Sequence, residues 1–202
     1  MIAATELAII DVLKAAGDDG VLGYRYVVLD TFPDEFEEYL REIRNLRTPA
    51  AWAVFLGLSD GSDESDDAGW HGKARFALVV AASNLRNEQQ TRHGDGSVPG
   101  SYQLAIDAIR LLTRDDLGLD LVEPITVRGA RLVARSDQMV KQKLSLMAIE
   151  LECRLPLGVF ADPDEGGFLQ LHVDWDVPPF GNVLPPLPAT NPDAADLIEV
   201  PQ

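Results

Sequence analysis

His172, Asp174 and Asp176 alternate near the end of the chain, and on an extended backbone they would share one face of a strand. One imidazole and two carboxylates so placed could hold a hard metal ion, the chemistry of a metal-dependent hydrolase. The same spacing also suits a strand with one wet face, because Leu169, Leu171, Val173, Trp175 and Val177 occupy the intervening positions. The other histidines, His71 and His93, stand in separate stretches expected to be loops, without partners at ligand spacing. A single cysteine, Cys153, excludes an internal disulfide and a Cys-rich zinc site. It falls on the apolar parity of its segment and is expected to be a buried, inert thiol. Neither a phosphate-binding loop nor an H-E-x-x-H pair occurs. So sparse a set of reactive groupings favours a protein that acts through its surfaces, and no metal or cofactor is expected.

Charge narrows the partners. The 202 residues carry 17 Lys plus Arg against 33 Asp plus Glu, a formal net charge of −16. A phosphate backbone would be repelled unless basic groups were gathered on one face, so nucleic acid is not the expected partner. No apolar run reaches the roughly 18 residues of a membrane span, and the first residues lack the basic region of a secretory signal, so a cytoplasmic product is expected. Beyond Pro156 there is no Lys or Arg, whereas eight acids and eight further prolines follow. Composition therefore divides the chain into residues 1–155 and an acidic, proline-rich extension, 156–202.

The elements that would position these groups follow from periodicity. Ile2, Ile9, Leu13 and Ala16 predict a helix over 6–16, with Thr5 as its cap and Gly17 as its end. Residues 24–29 read as a strand leading to a helix from Asp34, whose inner stripe is Phe36, Leu40 and Ile43. Residues 51–58 run apolar throughout, 75–82 form a second apolar strand after Arg75, and the two predict a hairpin. Between them, 59–69 carries five acids and no base, a solvated loop by its self-repulsion; it lacks the glycine and closing glutamate of a calcium-binding loop. Residues 83–100 show no period and read as a long loop. Ser101 is expected to cap a helix through Thr113 striped by Tyr102, Ala105, Ile109 and Leu112. Strands follow over 125–134 and 144–155, with a turn at Ser136 and Asp137 after the first. In the last, apolar residues change parity between Ala148 and Ile149, for which a β-bulge near Met147 and Ala148 is the expected remedy. Residues 168–177 form a further strand, and everything after Pro178 reads as an extended arm.

One stretch carries a resemblance. Over residues 84–119 a loop bearing Arg86 and Arg92 leads through Gly100 into a helix with Tyr102, Leu104, Leu111 and Leu112. A step of Leu117, Gly118 and Leu119 follows. This order resembles the tail-terminator proteins of bacteriophages, and most of all the Mu-like prophage tail protein family, over residues 1–155 in layout. The resemblance implies a structural role without catalysis. Such a protein would form a hexameric ring that caps the tail tube, ends its polymerisation and presents a surface to the head-completion, or neck, protein, in the virion. The acidic loop and the extension depart from the family pattern. The extension is expected as an arm that grips a neighbouring subunit or the sheath of a contractile tail, by pairing with an open sheet edge.

The expected fold is α+β: a mainly antiparallel sheet with helices packed on one face, a C-terminal β segment and an extended Pro-rich arm. The expected partners are copies of itself, the tail tube, possibly the sheath by way of the arm, and the neck protein, with no membrane. Positive charge gathers between Arg86 and Arg154, where Arg128, Arg131, Arg135, Lys141 and Lys143 surround a hairpin. Arg86, Arg92, Tyr102, Arg131, Arg135, Lys141 and Lys143 are therefore the candidate subunit or tube interface. A tube or neck protein, the hydrolase above, and a monomeric partner-binding module are the competing readings.

Overall fold

A computed structural model describes residues 1–62, 70–83, 88–94, 98–158, 170–175 and 194–199. The chain forms two units, Met1–Val159 and Phe160–Gln202. In the first, the elements run α1 (Ile2–Asp18), β1 (Val28–Thr31), α2 (Phe36–Ile43), β2 (Ala50–Ser62), β3 (His71–Ser83), α3 (Glu88–His93), α4 (Ser101–Leu112), β4 (Glu123–Leu132), α5 (Asp137–Lys141) and β5 (Leu144–Pro156). The five strands form one sheet in the order β1-β2-β3-β5-β4, in which only the β1–β2 pairing is parallel. The second unit is described as a hairpin of β6 (Gln170–Trp175) and β7 (Ala194–Glu199), antiparallel.

The α+β class and the mixed, mainly antiparallel sheet are as expected, but the helices occupy both faces rather than one. Alternate residues of β3 point to opposite sides. Phe76, Leu78 and Val80 pack with Ile9 and Leu13 of α1 and with Leu104, Ala108 and Leu112 of α4. Val79 and Ala81 pack with Trp52, with Leu40 of α2 and with Met139 of α5. This division explains the parity change in β5. Leu144, Leu146 and Ala148 serve the α2–α5 core, while Ile149, Leu151, Cys153 and Leu155 serve the α1–α4 core. The expected bulge near Met147 is absent, since β3 and β5 pair without a shift from Ser83↔Leu144 to His71↔Pro156. The register shifts fall instead in β2 and in the edge strand β4, between Glu123 and Thr126 and between Val127 and Gly129.

Other boundaries moved for local reasons. Thr5 does not cap α1: it lies one turn inside, buried, and its hydroxyl donates to Met1 O at 3.1 Å. Ser101 does not cap α4 either, for Gly100 holds that position and no side chain caps it. The strand expected over 24–29 is confined to Val28–Thr31. Ile43 of α2 is 40% exposed, because the helix stops there and Arg44 turns away with φ 57°. Gln142 closes that end, donating through Nε2 to Leu40 O and accepting from Leu46 N at 2.9 Å. The expected loop over 83–100 contains α3, and the expected turn after β4 contains α5, capped by the Ser136 hydroxyl at 3.3 Å from Met139 N. The extended arm is also corrected in part, since residues 194–199 form β7 and pair with β6. The acids at 63–67 lie outside the described residues.

Candidate functional site

The three-residue periodicity that reveals most helices is missing from α3, whose sequence is Glu-Gln-Gln-Thr-Arg-His. Its anchor is Thr91, 1% exposed. Gly94 then takes φ 82°, and the chain returns to start α4 against the end of α3. The approach is so close that a Cβ on Gly100 would lie 2.2 Å from Arg92 O and 2.3 Å from Gly94 N. Only glycine fits there. Beneath this corner, the buried Ser101 and Ser145 share a hydroxyl–hydroxyl hydrogen bond of 2.9 Å that joins α4 to β5.

This corner brings two of the candidate residues together. Arg92, from the last turn of α3, and Arg135, just past β4, line one pocket of about 70 Å³ with Leu132, Val133, Ser145 and Leu146. The Arg92 Nε is buried and has no hydrogen-bond partner among the described residues. Arg135 donates through Nη2 to Leu144 O at 3.3 Å, which fixes the guanidinium at the pocket wall. Tyr102 is not in that lining; its ring lies 5.6 Å from that of His93, the residue after Arg92. Lys141 ends α5, and Lys143 links it to β5 with φ 53°.

Arg131 is placed differently. It is an exposed residue of β4, 3.4 Å from Glu150, within a ladder in which Arg128 pairs with Glu152 and Arg154 with Glu123 at 3.0 Å. These cations are matched by acids on the next strand, so the basic hairpin is locally neutral along β4. Arg86 lies outside the described residues.

The remaining chemical candidates have structural explanations. Cys153 is buried at 2% exposure, and burial, with Glu152 beside it, pushes its thiol up to about 11. That thiol stays protonated and unreactive near neutral pH. Tyr24 donates to Asp107 Oδ2 at 3.1 Å, with Tyr26 ring-to-edge at 5.7 Å. Burial raises both phenols well above their ordinary value. His71 opens β3 and is buried, and His93 ends α3, so neither is in a loop. Residues 57–61, Gly-Leu-Ser-Asp-Gly, do carry the letters of a serine-hydrolase nucleophile elbow, against the expectation that no G-x-S-x-G occurs. That motif needs a sharp strand-to-helix turn, but Ser59 lies inside β2, paired with Lys73. His172 and Asp174 lie on β6, with side chains outside what is described, as is Asp176 altogether. Among the described residues no group of three or more His, Cys, Asp or Glu could hold a metal ion, and no helix is long and apolar enough to cross a membrane.

The family model described as bacteriophage Mu, Gp37 matches residues 1–155. No curated protein matches the chain.

Proposed function

Since the chain belongs to the bacteriophage Mu Gp37 family, a Mu-like phage family, we propose that it is a structural virion protein of the tail–neck region. It caps the tail tube as a ring, ends polymerisation of the tube and forms the surface on which the neck protein docks. The observation that carries this reading is the family match, which spans all but the last four residues of the five-stranded α+β unit. The arrangement of the candidate interface residues supports it. Arg92, Tyr102, Arg135, Lys141 and Lys143 come from α3, α4, the β4–α5 turn and the α5–β5 link, and Arg86 precedes α3 in sequence. These residues, with Arg131 on the sheet face, are the proposed contacts to a neighbouring subunit or the tube.

In this role the chain works by complementarity. A heterologous contact repeated around an axis closes a ring, and a closed ring cannot be extended sideways. Native mass spectrometry with negative-stain imaging tests it: the expected species is six times the 22.0 kDa chain, seen as a ring. Addition of that ring to growing tail tubes should halt their elongation. A filament of the protein alone would instead make it a tube subunit, and a monomer that leaves tube growth unchanged would refute the terminator reading.

A further inference from the structure

Charge changes sign in the middle of α2. From Asp30 to Leu40 the sequence holds five acids and no Lys or Arg; from Arg41 to Arg47 it holds three arginines and one acid, Glu42. Helix ends favour this order, since acids suit the first turn and cations the last. Glu37 and Arg41 stand one turn apart, yet among the described residues neither they nor Arg44 and Arg47 take part in an ion pair. Lys141 at the end of α5 adds to the basic side. The next residue, Gln142, clasps the end of α2 through Leu40 O and Leu46 N.

The apolar stripe of the same helix is left partly open. Phe36, Tyr39, Leu40 and Ile43 recur at helical spacing, but only Leu40 is buried. The half-buried rings of Phe36 and Tyr39 stack 6.0 Å apart, and both meet Trp52 edge-on. Ile43 is exposed, and so is Val140 of α5, at 52%. An amphipathic helix turns its stripe toward a partner, and here the sheet and α5 cover it incompletely. Aromatic and apolar groups rimmed by charge are the makings of a protein interface.

The pattern of charge selects the occupant. A second α2 laid parallel would set acid against acid and base against base, whereas one laid antiparallel matches opposite charges at both ends. Equal spacing to either side of Tyr39 then sets Glu37 opposite Arg41 and Asp34 opposite Arg44. We propose that α2 packs antiparallel on α2 of a second copy, about a twofold axis near Tyr39, with these charges paired across it and Ile43 and Val140 covered. The contact goes beyond the ring reading. Contacts within a ring are heterologous and this one is isologous, so it pairs free copies and joins a ring only to a second ring.

Sedimentation velocity of the full-length protein at about 50 mM and 500 mM salt tests it, with circular dichroism melts to show that each variant folds. D34K/E37K makes both halves of α2 basic, and R41E/R44E makes both acidic. Each alone should pair at least about tenfold more weakly than the unaltered chain at low salt. An equimolar mixture should recover pairing, in a species that native mass spectrometry finds to hold both variants in equal number. V140D should also weaken pairing while melting with the unaltered chain, because Val140 is exposed. Pairing of either charge variant equal to that of the unaltered chain, or no recovery in the mixture, overturns the contact. Six-membered rings formed by all of these proteins alike would overturn it too and leave the ring reading standing. An unaltered chain that stays monomeric at every concentration overturns both.

Discussion

Alanine at Gly100 is the sharpest single perturbation of the site. The added methyl would sit 2.2 Å from Arg92 O and 2.3 Å from Gly94 N, whereas carbon atoms in contact rest at about 3.5 Å from their neighbours. Both obstacles are backbone, so no side-chain rotation relieves them, and the end of α3 must retreat by roughly 1 Å. Overpacking of this kind costs about 1–3 kcal/mol and occasionally more. For a unit of this size each kcal/mol moves the melting temperature by about 2–4 °C, so a fall of ~2–12 °C is expected. The same displacement carries Arg92 out of the pocket it shares with Arg135, so self-association should weaken as well. Gly129→Ala in β4 is the control, because a Cβ there meets nothing within 4 Å, and its effect should stay within about 0.5 kcal/mol. Thermal melts of the two variants decide the matter. Equal melting temperatures would show that α3 and the start of α4 are not packed as described.

Two further outcomes follow from buried polar groups. Ser101→Ala and Ser145→Ala should each destabilise by about 1–3 kcal/mol, because each leaves the other hydroxyl without its 2.9 Å partner; the double variant should cost clearly less than the sum in urea denaturation, and strict additivity would refute the pair. Stability should also fall as pH rises above about 8.5: the unfolded chain releases the protons of Cys153, Tyr24 and Tyr26 near their ordinary values, while the folded chain retains them to about 11 for Cys153 and higher for the phenols. The unfolded state then binds fewer protons, which lowers the free energy of unfolding with rising pH, and stability is fully present below that range. Urea midpoints at pH 8 and 10.5, with phenolate absorbance, measure this; an unchanged midpoint would show those groups to be exposed.

What the sequence discloses is what repeats along the chain. The apolar stripe of α1, the hairpin of β2 and β3 and the long β5 all leave local patterns, and each was legible. The parity change at Ala148 was legible too, but its cause was not: a bulge and a handover between two cores give the same string of letters. Only the packing of Leu40 and Met139 on one side, and of Leu13 and Leu104 on the other, tells them apart. α3 escaped because six residues bearing one buried threonine produce no period. β7 escaped because the prolines before it suggested a chain unable to pair. At the site, the basic residues could be named from composition, but not sorted. Arg131 and Arg135 are four apart in sequence, yet one stands by Glu150 on the sheet and the other lines a pocket with Arg92 and donates to Leu144 O. The tightness at Gly100 is a property of two backbones meeting and has no signature in either alone.

The edge strand β4 has a last consequence. Long, flat, unsatisfied edges invite indiscriminate accretion of extended chains, the route to amyloid. Ten residues of β4 form such a border, but two register shifts bend it, Pro124 withholds an amide, and the Arg128 and Arg131 side chains, paired with Glu152 and Glu150, line it with charged groups. That border is thus guarded against pairing with any extended chain that meets it, while the regular, unshifted pairing of β3 with β5 is kept inside the sheet.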